Sequence, residues 1–202
     1  KAYLPAEFVS AFKKLKPTLS AFSVYLGIDG EQGLPDIVAV ANLIYPGDHM
    51  EDQYAAVLRG DLERMPWVLS IPTFVAPELA PPGCHILSLF APMPFRLEGM
   101  TNWRERKSEY TERFINVASK LIPDLQKRII VKEAATPDTL LRYTGNREGA
   151  LGWNYTPESI DGRPQNKSPI PGLWLTGHWT VPGVGVHGAS QSGWITAKQI
   201  SE

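Results

Sequence analysis

The sequence predicts an α+β fold: a mainly antiparallel sheet with helices on one side, then a strand, a glycine turn and a helix of separate character. Three observations predict it. Runs of strand length are separated by short turns, which favours antiparallel neighbours. Helical periodicity is confined to a few segments with recognisable starts and stops. Gly183, Gly185, Gly188 and Gly193 crowd the start of the last helical segment.

Pro5 to Leu15 reads as a short amphipathic helix with Phe8, Ala11, Phe12 and Leu15 on one face and Pro17 as its stop. Leu19 to Ile28 alternates, with Phe22, Val24, Leu26 and Ile28 on one side, and closes at Asp29-Gly30. Asp36 to Tyr45 is apolar on both faces and is expected to be an interior strand. Glu51 to Arg59 is a short helix stopped by Gly60. Trp67 to Phe74 and Cys84 to Ala91 are strands joined by the proline-rich Ala76 to Gly83, which is expected to be irregular.

Asn102, with Glu105 three residues later, has capping-box spacing and opens a long helix. Trp103, Lys107, Tyr110, Phe114, Val117 and Leu121 mark its buried face, and Arg104, Arg106, Glu109 and Glu112 its solvated one. Pro123 interrupts it. Ile129 to Ala134 is a further strand, and Pro137 sits at the first position of a helix over Asp138 to Tyr143. Asp138 is there a partner for the helix dipole. Gly145 to Pro171 is a long loop, of a length that is usually functional or disordered.

The terminal stretch has the richest pattern. Leu173 to Thr176 is of strand type and closed by Gly177. Pro182, Gly183 and Gly185 break regular structure. From Val186 to Ile200 the pattern is helical, with Val186, Ala189, Gly193, Ala197 and Ile200 expected on the packed face. A helix start offers unpaired N–H groups and a positive dipole end, and glycine lets a ligand approach the backbone. Gly183 to Gly188 matches G-x-G-x-x-G, but no following strand and acidic residue complete a dinucleotide fold. On spacing alone the plainer reading is preferred: a glycine-rich turn that packs a helix tightly on a sheet.

Composition narrows the function. The 202 residues carry a formal net charge of -1 and no Lys/Arg run longer than a pair, which argues against a nucleic-acid partner. No apolar run approaches the roughly 20 residues of a spanning helix, and no secretory signal pattern is present. The single cysteine, Cys84, excludes an internal disulfide and is expected to fill space beside a strand. His49, His85, His178 and His187 lack metal-ligand spacing, so no metal is expected. His187 is expected to cap or pack at the helix start rather than act as a base. Ser190 and Ser192 form no nucleophile elbow. Arg142 and Tyr143 at a helix end suit the dipole or a pocket wall. The start at Lys1 without methionine, and the end just after a ligand-type helix, are expected of a piece of a longer protein.

The stretch from Leu173 to Ala189, with Pro182-Gly-Val-Gly185 and then Ser192-Gly193 and Ala197, resembles the C-terminal signature of the FAD-dependent oxidoreductases of the phytoene desaturase, carotenoid isomerase and retinol saturase group. Phe22 to Asp29, Ser70-Ile-Pro-Thr73, Ala80 to Leu87, Thr136-Pro-Asp-Thr139 and Gly149-Ala-Leu-Gly-Trp153 resemble other segments of that group, so the likeness spans almost the whole chain. It implies that residues 1–145 are a portion of a substrate domain. Residues 146–202 would be the return loop and the C-terminal strand, turn and helix of the FAD-binding domain.

Gly177, His178, Gly183, Val184, Gly185 and Val186 would then contact FAD, with Trp153 and Trp179 near the flavin. His178 departs from the acidic or small residue common in the group. The main dinucleotide fingerprint would lie on a missing N-terminal segment, so the fragment alone is expected to be inactive. The implied activity is hydride transfer between flavin and an apolar polyene-like substrate, with no catalytic side chain assigned. The implied location is cytoplasmic, with peripheral membrane contact left open. The alternative is a binding or interaction module that keeps the fold without the flavin.

Overall fold

The computed structural model describes residues 4–36 and 39–202. In chain order its elements are α1 (Ala6–Lys14), β1 (Ser20–Asp29), β2 (Ala41–Ile44), α2 (Met50–Arg59), β3 (Trp67–Ser70), β4 (Cys84–Met93), α3 (Lys107–Ala118), α4 (Leu125–Arg128), β5 (Ile129–Ala135), α5 (Pro137–Thr144), α6 (Pro157–Asp161) and α7 (Gly185–Ser201). Helices and antiparallel strands are mixed as the α+β reading requires. Two compact units divide the chain, Ser20–Asn146 and Lys1–Leu19 with Arg147–Glu202. The sequence reading grouped the first residues with the sheet, whereas the chain clusters them with its C-terminal part.

The Ser20–Asn146 unit is built on a sheet of order β2-β3-β4-β1-β5 whose pairs are all antiparallel. The alternation read in β1 is the burial observed: Phe22, Val24, Leu26 and Ile28 are buried, while Tyr25 is 46% exposed. Its partner β4 buries Leu87, Leu89, Ala91 and Met93 in register with them. α3 covers this face through Tyr110, Phe114 and Ile115. The Trp103 ring lies 5.6 Å from Phe22 and 5.2 Å from Tyr110, and Trp67 meets Phe114 edge-on at 5.4 Å. Aromatic pairs at such spacings add to the burial that drives the core.

Several expectations are corrected here. β2 is an edge strand, not an interior one, with Ala41 and Leu43 exposed. An apolar composition on both faces suits an edge whose outer side chains stay bare as well as it suits burial. Ile37 and Val38 of the expected strand lie outside the described residues. The strand expected to reach Phe74 ends at Ser70, because Pro72 removes a ladder donor and opens a 3-10 turn over Pro72–Phe74. A second such turn, Pro77–Leu79, gives order to the stretch read as irregular. Cys84 is half-buried at the start of β4.

Asn102 does not cap the long helix. A 3-10 turn over Trp103–Glu105 intervenes, and the Asn102 side chain donates to Glu105 Oε1 at 2.7 Å. The Trp103 N–H is instead satisfied by Asp138 Oδ2 at 2.8 Å, and Asp138 also pairs with Arg96 at 2.6 Å. Asp138 is therefore a tertiary tie rather than only a dipole partner. Lys107 reaches Glu133 at 2.7 Å instead of entering the core, and Ile115, Ala118 and Ile122 are buried where Leu121 is not. The helix over Pro137–Thr144 has the expected proline at its first position and a complete capping box between Thr136 and Thr139.

In the other unit α1 shows Phe8 and Phe12 half-buried, their rings 5.1 Å apart. The chain after α1 is clasped by the segment after Arg147. Thr18 N–H donates to the Gly152 carbonyl at 2.8 Å, Asn154 N–H to Lys16 at 2.8 Å, and the Ala150 and Leu151 N–H groups to Leu19. The long loop is not structureless, since α6 lies within it, capped by the Thr156 side chain. Leu173 to Thr176 forms no ladder strand. Trp174 makes one antiparallel bridge with Lys167, and Leu175 N–H donates to Asn166 at 2.7 Å. Strand periodicity reports exposure on two faces, but a ladder needs a partner of matching length, and among the described residues this segment's backbone bonds run to the short stretch 166–170.

Candidate cofactor site

The glycine-rich turn before α7 is shaped by what glycine alone tolerates. Gly183 has φ 143°, outside the range of ordinary L residues, and a Cβ there would lie 2.0 Å from Arg163 Nη1. Gly188, one turn into α7, would carry a Cβ 2.5 Å from the Gly183 carbonyl oxygen, so the helix start folds back onto the turn. The N-cap residue is Val184, which offers no side-chain hydrogen bond. The first N–H groups of α7, from Gly185 onward, thus lack the cap that commonly satisfies them. They make the mouth of α7 an acceptor-seeking surface at the positive end of a 17-residue helix.

The predicted packing face of α7 is corrected. Gly188, Ser192 and Thr196 are the buried residues, whereas Val186 is 87% exposed and Ala197 and Ile200 are exposed. A polar knot replaces an apolar seam. Asn166, 3% exposed, directs its Nδ2 at Ser192 Oγ (2.8 Å), Thr196 Oγ1 (3.0 Å) and the Leu175 carbonyl (3.2 Å). Ser192 Oγ also lies 2.7 Å from Thr180 Oγ1 and accepts the Gly177 N–H at 3.1 Å. Ser192 is wholly buried. Through this one hydroxyl the helix is fixed to Gly177 and to the turn that follows.

Gly177 and His178 come next to Val184 in this arrangement. A Cβ on Gly152 would touch Val184 Cγ1 at 2.1 Å and His178 Cδ2 at 3.8 Å, so both side chains converge on that glycine. His178 tilts against Trp179 at 4.8 Å, and the Trp153 indole N–H donates to the Trp179 carbonyl at 2.8 Å with the two rings 4.6 Å apart. Gly177, His178, Gly183 and Val184 are therefore assembled around one turn. Gly185 and Val186 open the helix on its exposed side.

His187 does not cap or pack as expected. It is exposed and lines an open groove of about 730 Å³ with Val186, Ser190, Gln191 and Trp194. Arg142 is exposed and stacks over Tyr143. No group of three or more His, Cys, Asp or Glu among the described residues is placed to hold a metal ion. Among the same residues no helix is long and apolar enough to cross a membrane.

Burial holds the His178 imidazole below its ordinary range, and its Nε2 is buried without a partner among the described residues. An unfolded His178 takes up a proton as pH falls through about 6.5, while the folded one resists it. The unfolded state then binds more protons, so stability falls as pH drops below that value and is unaffected above it. Urea midpoints at pH 7.5 and 5.5 should show this loss in the wild-type chain and a smaller loss in His178→Gln. Equal losses in the two proteins would remove His178 as the cause.

Sequence reasoning missed Arg163, Asn166, Thr180 and Thr196. Arg163 is 7% exposed and donates from Nη1 to the Pro182 carbonyl at 2.9 Å, while its guanidinium lies 5.4 Å from the Tyr155 ring centre. Its Nε and Nη2 are buried without a hydrogen-bond partner among the described residues. A readable signal existed only for the knot, since Ser192 and Thr196 sit four apart on one helix face.

Residues 4–201 match the family model described as flavin containing amine oxidoreductase. The chain is 30% identical to the chloroplastic prolycopene isomerase of Daucus carota, over 94% of its own length and 31% of the relative's. It is also 30% identical to the carotenoid 3,4-desaturase of Haloarcula japonica, over 91% and 37%. Identity with the pyridine nucleotide-disulfide oxidoreductase domain-containing protein 2 of Mus musculus is 26%, over 93% and 36%. The chain thus spans about a third of the length of these relatives.

Proposed function

From the premise that this chain belongs to the flavin-containing amine oxidoreductases, we propose that the turn from Gly177 to Val186 and the mouth of α7 form part of an FAD site. The protein they serve is an oxidoreductase acting on an apolar, polyene-like substrate. The observation that carries the reading is the uncapped start of α7, folded against two glycines of positive φ, Gly183 and Gly185. These features fit a flavin nucleotide. N–H groups and a dipole end suit its anionic oxygens, and the two glycines at 183 and 185 let a flat ring approach the backbone. Gly177, His178, Gly183, Val184, Gly185 and Val186 are the residues that would hold it.

When bound, the flavin supplies two-electron chemistry, taking or giving a hydride. The chain's own part is to bind and orient. The polar knot keeps α7 aimed, the Trp153–Trp179 pair packs beside His178, and burial disfavours a charge on His178. The names of the relatives, prolycopene isomerase, carotenoid 3,4-desaturase and phytoene desaturase, support a polyene-like substrate. So does the second face of the sheet, where Leu43, Val68 and Phe90 fall in one row across three strands, beside the half-exposed Tyr25. The share of each relative that is matched supports the remaining reading: residues 146–202 complete a cofactor domain whose dinucleotide fingerprint is carried on a further segment.

The test is to express the chain together with its upstream coding sequence, load it with FAD or FMN, and record the visible spectrum after gel filtration. Retention of FAD in preference to FMN is expected. A colourless protein would overturn the proposal and favour a binding module that has lost its flavin. Gly183→Ala places a methyl group against Arg163 at a φ that alanine rarely adopts. The strain is about 2 kcal/mol, and roughly thirtyfold weaker FAD retention is the expected outcome.

A further inference from the structure

We propose that Arg163 is a positioning residue that supplies fixed positive charge for an anionic group of the flavin nucleotide at the mouth of α7, an inference that rests on the flavin reading above. Two independent observations meet at one place. The first is the mouth itself, with its free N–H groups and positive dipole end directly after Gly183. The second is Arg163, 7% exposed, held by Nη1 on the Pro182 carbonyl and with Nη1 in the space that a Cβ on Gly183 would need.

Nothing among the described residues balances that charge. Nε and Nη2 have no acceptor, and among the described residues no carboxylate pairs with Arg163. The Tyr155 ring lies 5.4 Å from it, and that ring is 64% exposed. A buried cation without a counter-charge is costly, and placing it at the positive end of a helix adds like-sign repulsion. Both costs disappear when negative charge sits at the same mouth. A group needed only to tie down the Pro182 carbonyl could be neutral, for example a glutamine amide. Arginine is the choice that also projects a field, which is felt strongly in a site shielded from water.

The anionic oxygens have two sources in one ligand, the phosphates and the ring in its reduced, more negative state. The arms of the experiment separate them. FAD affinity and midpoint potential are measured for the wild type, Arg163→Lys, Arg163→Gln and Arg163→Met, each in the chain joined to its upstream sequence.

The expected result is that Arg163→Lys stays within about threefold of the wild type while both neutral variants lose about tenfold in flavin affinity. Loss with an unchanged potential assigns the charge to the phosphates. Loss confined to the reduced state assigns it to the ring, and the potential falls by about 30 mV for that tenfold change. Neutral variants that match the wild type in both readouts would overturn the proposal, and so would a lysine variant that behaves like the neutral ones. If both neutral variants fail to fold, Arg163→Lys decides alone: near-wild-type affinity supports the charge, and tenfold weakening overturns it. A wild type that binds no flavin sinks the reading of the whole site instead, so the two failures differ.

Discussion

Ser192→Val is expected to lower the stability of the unit that carries α7 by about 4 kcal/mol. The Ser192 hydroxyl is fully buried and stands at the centre of four side-chain or backbone partners, Asn166, Thr176, Thr180 and the Gly177 N–H. Valine offers neither donor nor acceptor and carries one methyl group more than the serine site has room for. The Gly177 N–H and the Thr180 hydroxyl are then left buried with fewer partners, at about 1–2 kcal/mol each. The second methyl group of valine enters space already filled, which adds about 1–3 kcal/mol. Ser192→Ala removes the hydrogen bonds without the overpacking and should cost about 2 kcal/mol. Urea unfolding followed by far-UV circular dichroism measures both. Equal midpoints for the wild type and Ser192→Val would show that the knot contributes nothing to holding the helix.

Trp103→Ala should cost the sheet-containing unit a similar amount, about 4 kcal/mol, through a different mechanism. The Trp103 side chain is fully buried between Phe22 and Tyr110, with its indole N–H on the Phe95 carbonyl at 2.9 Å. Truncation of a buried tryptophan leaves a large cavity, at about 3–5 kcal/mol. It also frees the Phe95 carbonyl. Trp103→Phe refills much of the volume and should recover more than half of the loss. If it recovers none, the hydrogen bond rather than the packing dominates, contrary to the argument from cavity volume.

Much of the sheet was legible because its signals are local. Phe22, Val24, Leu26 and Ile28 alternate in the sequence and are buried in the structure. Gly60 ends its helix as expected, in the left-handed conformation, and Pro137 opens α5. What escaped was set by partners far along the chain. β2 looked interior because its composition cannot say how many neighbours it will have. Leu173 to Thr176 looked like a strand because its pattern cannot say that only one short segment will pair with it. The capping reading at Asn102 failed because a 3-10 turn over Trp103–Glu105 intervenes and the Asn102 amide donates to Glu105, while the adjoining Trp103 N–H is tied to Asp138, 35 positions later.

The site divides in the same way. The glycines of the turn announce themselves through their spacing. The residues that hold the turn in place do not, because Asn166 and Arg163 look like ordinary loop residues until the chain folds. The packed face of α7 was misread for a related reason. Apolar residues were assigned to burial, yet the helix is held by serine, threonine and glycine, and its valine and tryptophan remain bare.

The clasp between residues 16–19 and residues 150–154 has a bearing on how the molecule comes to be made. Each hydrogen bond in it joins positions separated by the entire Ser20–Asn146 stretch. Its closure entropy is therefore high while the intervening chain is a coil, and much lower once that chain has condensed and brought its own ends into range. A ribosome would release the sheet before the second half of the clasp exists. Condensation of the intervening stretch thus shortens the loop that the clasp has to close.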